Sequence, residues 1–133
     1  MLLFRGPAWD EGLSTEELQQ ALKKVMAWFG ALKEAGKVKV GQPLGSQGRI
    51  ISGKNNGMVA DGPFAESKEA VGGYLLLQAE DLNEAVEIAR STPTLKYGIT
   101  VEVRPVLAEC PMFERHPELV QRVREQLWVA VSA

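Results

Sequence analysis

The spacing of apolar and polar positions predicts two amphipathic helices. The first begins at Ser14, which lies at capping-box distance from Glu17, and ends at Gly36. The second begins at Asp81, with Glu84 three positions later. In both segments apolar side chains recur every three or four residues and form one stripe. The stripes consist of Leu18, Leu22, Val25, Phe29 and Leu32 in the first helix, and Leu82, Ala85, Val86, Ile88 and Ala89 in the second.

Strands are predicted before, between and after these helices. The segment Val71–Gln78 is apolar at successive positions, which is typical of a central strand covered on both sides. Residues Ile99–Val106 alternate between apolar and polar side chains, as a half-buried strand does, and Pro105 marks the end or an edge of that strand. The other predicted strands are Met1–Arg5, Val38–Leu44, Arg49–Ser52 and Met58–Ala60, of which the last two form a hairpin around the turn pair Asn56-Gly57.

This order of elements predicts an α+β domain with two helices on one face of a mainly antiparallel sheet. We expect a single domain over residues 1–133, with a core over about residues 1–107 and a C-terminal helical extension over about residues 111–131, with Pro117 in its first turn. Because the segment Val71–Gln78 is apolar on both faces, the sheet needs a cover opposite the helices. A second copy of the chain would provide that cover, so we predict a homodimer.

Composition narrows the class of protein. The chain is 45% hydrophobic and 24% charged, with a formal net charge of -2, which argues against broad nucleic-acid binding. Its apolar runs are far shorter than the roughly 20 residues that span a bilayer, and no signal peptide is recognisable, so no membrane association is expected. The single cysteine, Cys110, suits a reducing compartment and predicts a cytoplasmic location.

Several common chemistries find little support in the sequence. The segment Gly48–Asn55 resembles a phosphate-binding loop, but it ends in Asn instead of Ser or Thr and leads towards a hairpin turn instead of a helix. His116 is the only histidine and Cys110 the only cysteine, which leaves few good ligands for zinc. We expect a solvated His116 and a chemically idle Cys110. No metal and no cofactor are predicted.

The remaining candidates for chemistry lie around Asp61. A partly buried Asp61 could act as a general base, but an aspartate in an Asp-Gly-Pro turn also pins the loop by accepting backbone hydrogen bonds, and we favour the turn role. We predict that Phe64, Tyr74, Glu102 and Arg104 complete a ligand-binding site. For Glu102 and Arg104, an ion pair across the dimer is an equal alternative. Trp9 could stack against a ligand, but we favour the interpretation that it anchors its loop to the core.

Four strings of the sequence resemble one family. They are Asp61-Gly62-Pro63-Phe64-Ala65-Glu66, Gly72-Gly73-Tyr74, Asp81-Leu82-Asn83-Glu84-Ala85 and Val101-Glu102-Val103-Arg104-Pro105-Val106. Together they resemble the YCII-related proteins of the DGPF subgroup, which are small bacterial proteins, over most of the chain from Met1 to about Val106. The resemblance implies a ferredoxin-like fold that dimerises through its sheet as an α+β barrel.

The resemblance does not predict a catalytic activity for this chain, because the catalytic pair of the wider family is missing. Enzymes of the wider family are expected to have a His–Asp pair, with the His on the first helix and the Asp before a Pro that precedes the last strand. This chain has no His on that helix, and Thr92 precedes Pro93. Proteins of the DGPF subgroup are also linked to sigma factors, by association only.

Two functions follow from the sequence. The first is a homodimer with a small-molecule pocket near Asp61 at the inter-sheet barrel, with metal-free acid–base catalysis as the expected chemistry if it is an enzyme. The alternative is a regulatory or protein-interaction module, for example one associated with a sigma factor, in which the face formed by Leu119, Val123 and Leu127 meets a partner.

Overall fold

A computed structural model describes residues 1–6, 8–53, 59–61 and 70–120, with residues 59–61 described by their backbone alone. Its main sheet has four strands in the order β2-β5-β1-β6, and every neighbouring pair is antiparallel. The strands are β1 (Leu2–Arg5), β2 (Val38–Pro43), β5 (Val71–Leu77) and β6 (Thr100–Val103). A separate two-stranded hairpin pairs β3 (Arg49–Ile51) with β4 (Val59–Asp61).

Two helices follow the predicted positions closely. Helix α1 (Thr15–Glu34) begins with a complete capping box, in which Ser14 and Glu17 each accept a backbone N–H of the other. Gly36 follows this helix with a φ of 70°, a left-handed conformation that glycine adopts without strain. Helix α2 (Leu82–Arg90) begins where the Asp81 carboxylate accepts the N–H of Glu84.

Both helices pack on the same face of the sheet. Leu2 of β1, Leu75 of β5 and Ala89 of α2 form the buried centre, and Trp28 of α1 packs against them. Strand order and helix placement together give the ferredoxin-like α+β arrangement, so the predicted fold class is confirmed.

The apolar stripe of α1 is only partly covered. The one buried residue of this helix is Ala21, which lies outside the stripe, whereas Leu22 and Phe29 of the stripe are 45% and 39% exposed. The stripe therefore does not close tightly onto the sheet along its whole length. This leaves a space between the helix and the sheet, and the candidate site lies in that space.

The structure bears on three local predictions. Asp61 is the last residue of β4 and pairs with Arg49, whereas the rest of the turn predicted at Asp61-Gly62-Pro63 lies outside the described residues. Strand β6 ends at Val103, two residues before Pro105, which cannot donate to a strand ladder and was predicted to mark the strand's end or an edge. The predicted tail helix is broken: α3 (Met112–Arg115) stops at His116, and a separate 3-10 turn begins at Pro117. A residue before proline is driven out of the helical region, which explains the break.

Candidate functional site

A cleft of about 590 Å³ lies between α1 and the sheet. We call it the aromatic cleft because four aromatic side chains line it, with aliphatic and small residues between them. Its lining includes Phe4, Trp9, Val25, Trp28, Phe29, Gly41, Gly73, Leu75 and Thr92. Ligand cavities of proteins generally occupy about 300–1,000 Å³, so the size is that of a small-molecule site.

Two glycines, Gly41 and Gly73, allow close backbone packing between the strands that line the cleft. A Cβ atom at Gly41 would lie 2.8 Å from Cδ1 of Leu75 and 3.0 Å from the carbonyl oxygen of Tyr74, closer than atoms normally approach. On the neighbouring strand, a Cβ at Gly73 would lie 3.3 Å from the carbonyl oxygen of Gln42. The pairing of β1 with β5 skips Gly72, which confirms the bulge or close approach predicted for the Gly-Gly pair.

Two of the aromatic walls are held in place by further contacts. The indole Nε1–H of Trp28 donates a 2.8 Å hydrogen bond to Oγ of Ser91, which in turn donates to the carbonyl of Ile88 at the end of α2. Trp9 stacks on Tyr97 with the ring centroids 5.7 Å apart. Trp9 therefore anchors its loop, as predicted, and also lines the cleft, which the sequence analysis had treated as the less favoured role.

Thr92 gives the cleft an unusual polar group. The residue is 6% exposed, and its Oγ1 has no hydrogen-bond partner among the described residues. Threonine at the start of a helical turn commonly caps a backbone N–H, but this side chain makes no such bond at the 3-10 helix Pro93–Tyr97. Leaving a hydroxyl buried and unpaired costs about 1–3 kcal/mol. Such a group beside a cavity is a reason to look for a ligand.

The predicted site residues fall into different places. Tyr74 borders the aromatic cleft, but strand alternation directs its side chain away from Leu75, so we infer that its backbone forms the border. On that opposite face of the sheet, which we call the open face, Leu3 pairs with Tyr74 on one side and with Glu102 on the other. Tyr74 and Glu102 are thus separated by the width of strand β1.

Glu102 has a local partner on the open face. Its carboxylate accepts a 2.6 Å hydrogen bond from the guanidinium of Arg5, and this bond holds the pKa of Glu102 below its usual value. Both side chains remain about one-third exposed. A carboxylate kept ionised in this way is poorly suited to act as a general acid near neutral pH.

Arg104 borders a different cavity. This second cavity has a volume of about 370 Å³ and is lined also by Lys39, Asp81 and Leu82. It adjoins the start of α2, whereas the aromatic cleft adjoins the residues that follow the end of α2. The structure therefore does not bring Arg104 together with the aromatic cleft.

The other predicted residues bear less on the site. The side chain of Asp61 and the whole of Phe64 lie outside the described residues. His116 is about half exposed and lies 3.5 Å from the carboxylate of Glu118, and Cys110 is exposed. Within the described parts of the chain, no three His, Cys, Asp or Glu side chains are grouped so that they could hold a metal ion.

Of the two residues that most distinguish the cleft, sequence reasoning missed Thr92 and gave little weight to Trp28. Thr92 was considered only as a replacement for an aspartate, and a pocket-lining role for Trp28 was considered but given less weight than a place in the core. The sequence signal for Thr92 was its position directly before Pro93, at the start of a helical turn. No sequence pattern marked the bond between Trp28 and Ser91, because the two residues are 63 positions apart.

Comparison with known proteins identifies the family. The model of the YCII-related domain matches residues 7–109, so the chain belongs to the YCII-related family. It is also similar to the uncharacterized protein R00369 of Rhizobium meliloti (strain 1021), with 31% identity over 110 residues that cover 80% of this chain and 89% of the relative. Among the described residues, no helix has the length and apolar character needed to cross a membrane.

Proposed function

We propose that this protein binds a small molecule in the aromatic cleft. The observation that carries the proposal is a cavity of ligand size, with walls held by the Trp28–Ser91 hydrogen bond and the Trp9–Tyr97 stack. Fixed walls favour binding because little side-chain freedom is lost when a ligand enters. The buried hydroxyl of Thr92 adds a polar group of the kind that orients ligands in otherwise apolar pockets.

The proposed pocket lies at a different place from the one that the sequence predicts. It was expected near Asp61, whereas the aromatic cleft lies beneath α1 and is lined by residues of β1, β2 and β5. Catalysis by Asp61 stays a prediction, since its side chain lies outside the described residues. Binding is therefore the function that the described geometry supports, and acid–base chemistry is a separate question.

We further propose that two copies pair through the open face of the sheet. The centre of that face carries Leu3, Tyr74 and Leu76, and the Arg5–Glu102 ion pair lies at its side. An apolar centre with a polar edge is the usual anatomy of a protein interface. Pairing there would leave the helices and the aromatic cleft on the outer side of each subunit. Membership of the DGPF subgroup stays a prediction.

The regulatory alternative has one described residue that bears on it. Leu119 is 43% exposed, as a partner-binding surface requires, but Val123 and Leu127 lie outside the described residues. A single exposed leucine is common on protein surfaces. The cleft is therefore the stronger basis for a function.

The experiment that tests the proposal is a metabolite screen by thermal melting on three proteins. Wild type is compared with Val25→Trp, which places an indole in the cleft, and with Met26→Trp, whose position on α1 is 74% exposed and does not line the cleft. Compounds that stabilise wild type and Met26→Trp but not Val25→Trp support the proposal. Equal stabilisation of all three proteins by every active compound would reject it.

A further inference from the structure

The electrostatic character of the aromatic cleft restricts what can bind there. Of the described residues that line it, none carries a charged side chain; besides the backbone of Tyr74, the polar members are Gln42, Thr92 and Thr94. Transfer of an ion from water into apolar surroundings without a partner is strongly unfavourable. A ligand that enters with a full charge would leave it unpaired, so the lining favours an uncharged molecule.

The walls also restrict the shape of the ligand. Phe4, Trp28 and Phe29 present aromatic surface from β1 and α1, and Trp9 adds a further ring from the loop after β1. Trp28 and Trp9 are held by their contacts with Ser91 and Tyr97. Aromatic rings pack best against other rings in offset or edge-to-face geometry, which favours a flat aromatic ligand over a branched aliphatic one.

Thr92 supplies one directional contact. Its Oγ1 is buried in the described structure, so a ligand reaches the hydroxyl when the side chain turns about its Cα–Cβ bond to another staggered position. That turn breaks no hydrogen bond with the described residues, since the hydroxyl makes none with them. A hydroxyl or amide group on the ligand would then give Oγ1 a partner.

From these three observations we propose that the aromatic cleft recognises an uncharged, flat aromatic molecule with one hydrogen-bonding group, which is met by Thr92. The proposal rests on the proposed function and adds the ligand class to it. The lining without charge sets the neutrality, the aromatic walls set the shape, and Thr92 sets the position of the polar group.

The neutrality is tested by equilibrium dialysis of the full chain at pH 7 against three bicyclic probes. They are 2-naphthol, which is neutral, 2-naphthoate, which is anionic, and 2-naphthylmethylammonium, which is cationic. We expect 2-naphthol to bind at least tenfold more tightly than either ion, and Val25→Trp but not Met26→Trp to weaken it. A charged probe that binds as tightly as 2-naphthol, or no binding of 2-naphthol up to its solubility limit, overturns the ligand class.

These outcomes separate the ligand class from the proposed function. If a charged probe binds as tightly as 2-naphthol and Val25→Trp still weakens it, the class is wrong but the cleft remains the binding site. If 2-naphthol binds and the two tryptophan variants behave alike, binding occurs elsewhere and the proposed function fails as well.

The role of Thr92 is tested with a pair of nearly isosteric probes. Thr92→Val replaces the hydroxyl with a methyl group, and 2-methylnaphthalene does the same to 2-naphthol. We expect Thr92→Val to weaken 2-naphthol by roughly fivefold and to leave 2-methylnaphthalene unchanged or slightly tighter. Thr92→Ser keeps the hydroxyl and should keep the preference for 2-naphthol, which also covers the case in which the valine variant does not fold. Equal effects of Thr92→Val on both probes, or loss of the preference in Thr92→Ser, overturn the assignment.

Discussion

The indole Nε1–H of Trp28 donates a hydrogen bond of 2.8 Å to Oγ of Ser91, and this contact ties the middle of α1 to the end of α2. The two residues are far apart in sequence, so the bond joins the two helices and fixes one wall of the aromatic cleft. Removal of either partner should loosen both helix packing and the cleft.

We therefore expect Ser91→Ala to lower the free energy of unfolding by about 0.5–1.5 kcal/mol, the usual net contribution of one hydrogen bond. Trp28→Phe should lower it further, since packing surface is lost as well. Urea unfolding of both single variants and of the double variant gives the coupling between them. Strictly additive effects would show that the bond contributes nothing to stability.

Gly41 is a sensitive position in the floor of the cleft. We expect Gly41→Ala to lower the free energy of unfolding by about 1–3 kcal/mol, because its methyl group would press against Leu75 and the backbone of Tyr74. Gly45→Ala is the matched control, since a Cβ there has no atom within 4 Å among the described residues. Chemical denaturation measures the free energy of unfolding of both variants. Similar small losses in the two would mean that Leu75 and the backbone of Tyr74 move aside at little cost.

The contact between Lys37 and Glu84 should make stability depend on pH. Lys37 donates a hydrogen bond to Glu84, which holds the pKa of Glu84 below its usual value of 4.5 and raises the pKa of Lys37 above 10.5. The contribution of Glu84 is therefore present above pH 4.5 and is lost as the pH falls through the lowered folded-state pKa. That of Lys37 is present below pH 10.5 and is lost as the pH rises through the raised pKa.

Accordingly, Glu84→Gln should be less stable than wild type at pH 7, and the difference should shrink as the pH falls below 4.5. Urea unfolding across this range measures the difference at each pH. Glu87→Gln is the control, because it removes a carboxylate that is 71% exposed on the same helix. A difference between wild type and Glu84→Gln that stays constant from pH 7 to pH 3 would contradict the account.

The proposed dimer makes a prediction about mass. Light scattering should give wild type the mass of two chains of 14.5 kDa. Leu3→Lys places a charge at the centre of the open face and should give one chain, whereas Met26→Lys on the exposed side of α1 should remain a dimer. A monomeric wild type, or an unaffected Leu3→Lys variant, would reject pairing through this face.

Local signals in the sequence predicted the fold well. Capping residues such as Ser14 and Asp81 act within a few positions of the backbone groups that they satisfy, so their effect is visible in the sequence. The Gly-Gly pair before Tyr74 likewise marked the bulge in β5. Pro117 was placed in the first turn of the tail helix and does begin a helical turn, whereas the separate short helix α3 before it was not predicted.

The site was harder to predict, because it depends on contacts between distant segments. Tyr74, Glu102 and Arg104 were grouped into one pocket by residue type, whereas strand alternation places Tyr74 and Glu102 on the open face, away from the aromatic cleft, and Arg104 borders the second cavity. Thr92 carries no charge and belongs to no motif. Its significance comes from burial without a partner, and only a three-dimensional structure reveals that.

The central claim, that the aromatic cleft binds a small molecule, is tested most directly by mapping amide and indole NMR shifts while a compound from the melting screen is added. The account predicts that the shifts cluster at cleft residues such as Phe4, Trp28 and Thr92 and that the Val25→Trp variant shows none of them. Shifts that cluster instead around Lys39 and Arg104, at the second cavity, would contradict it.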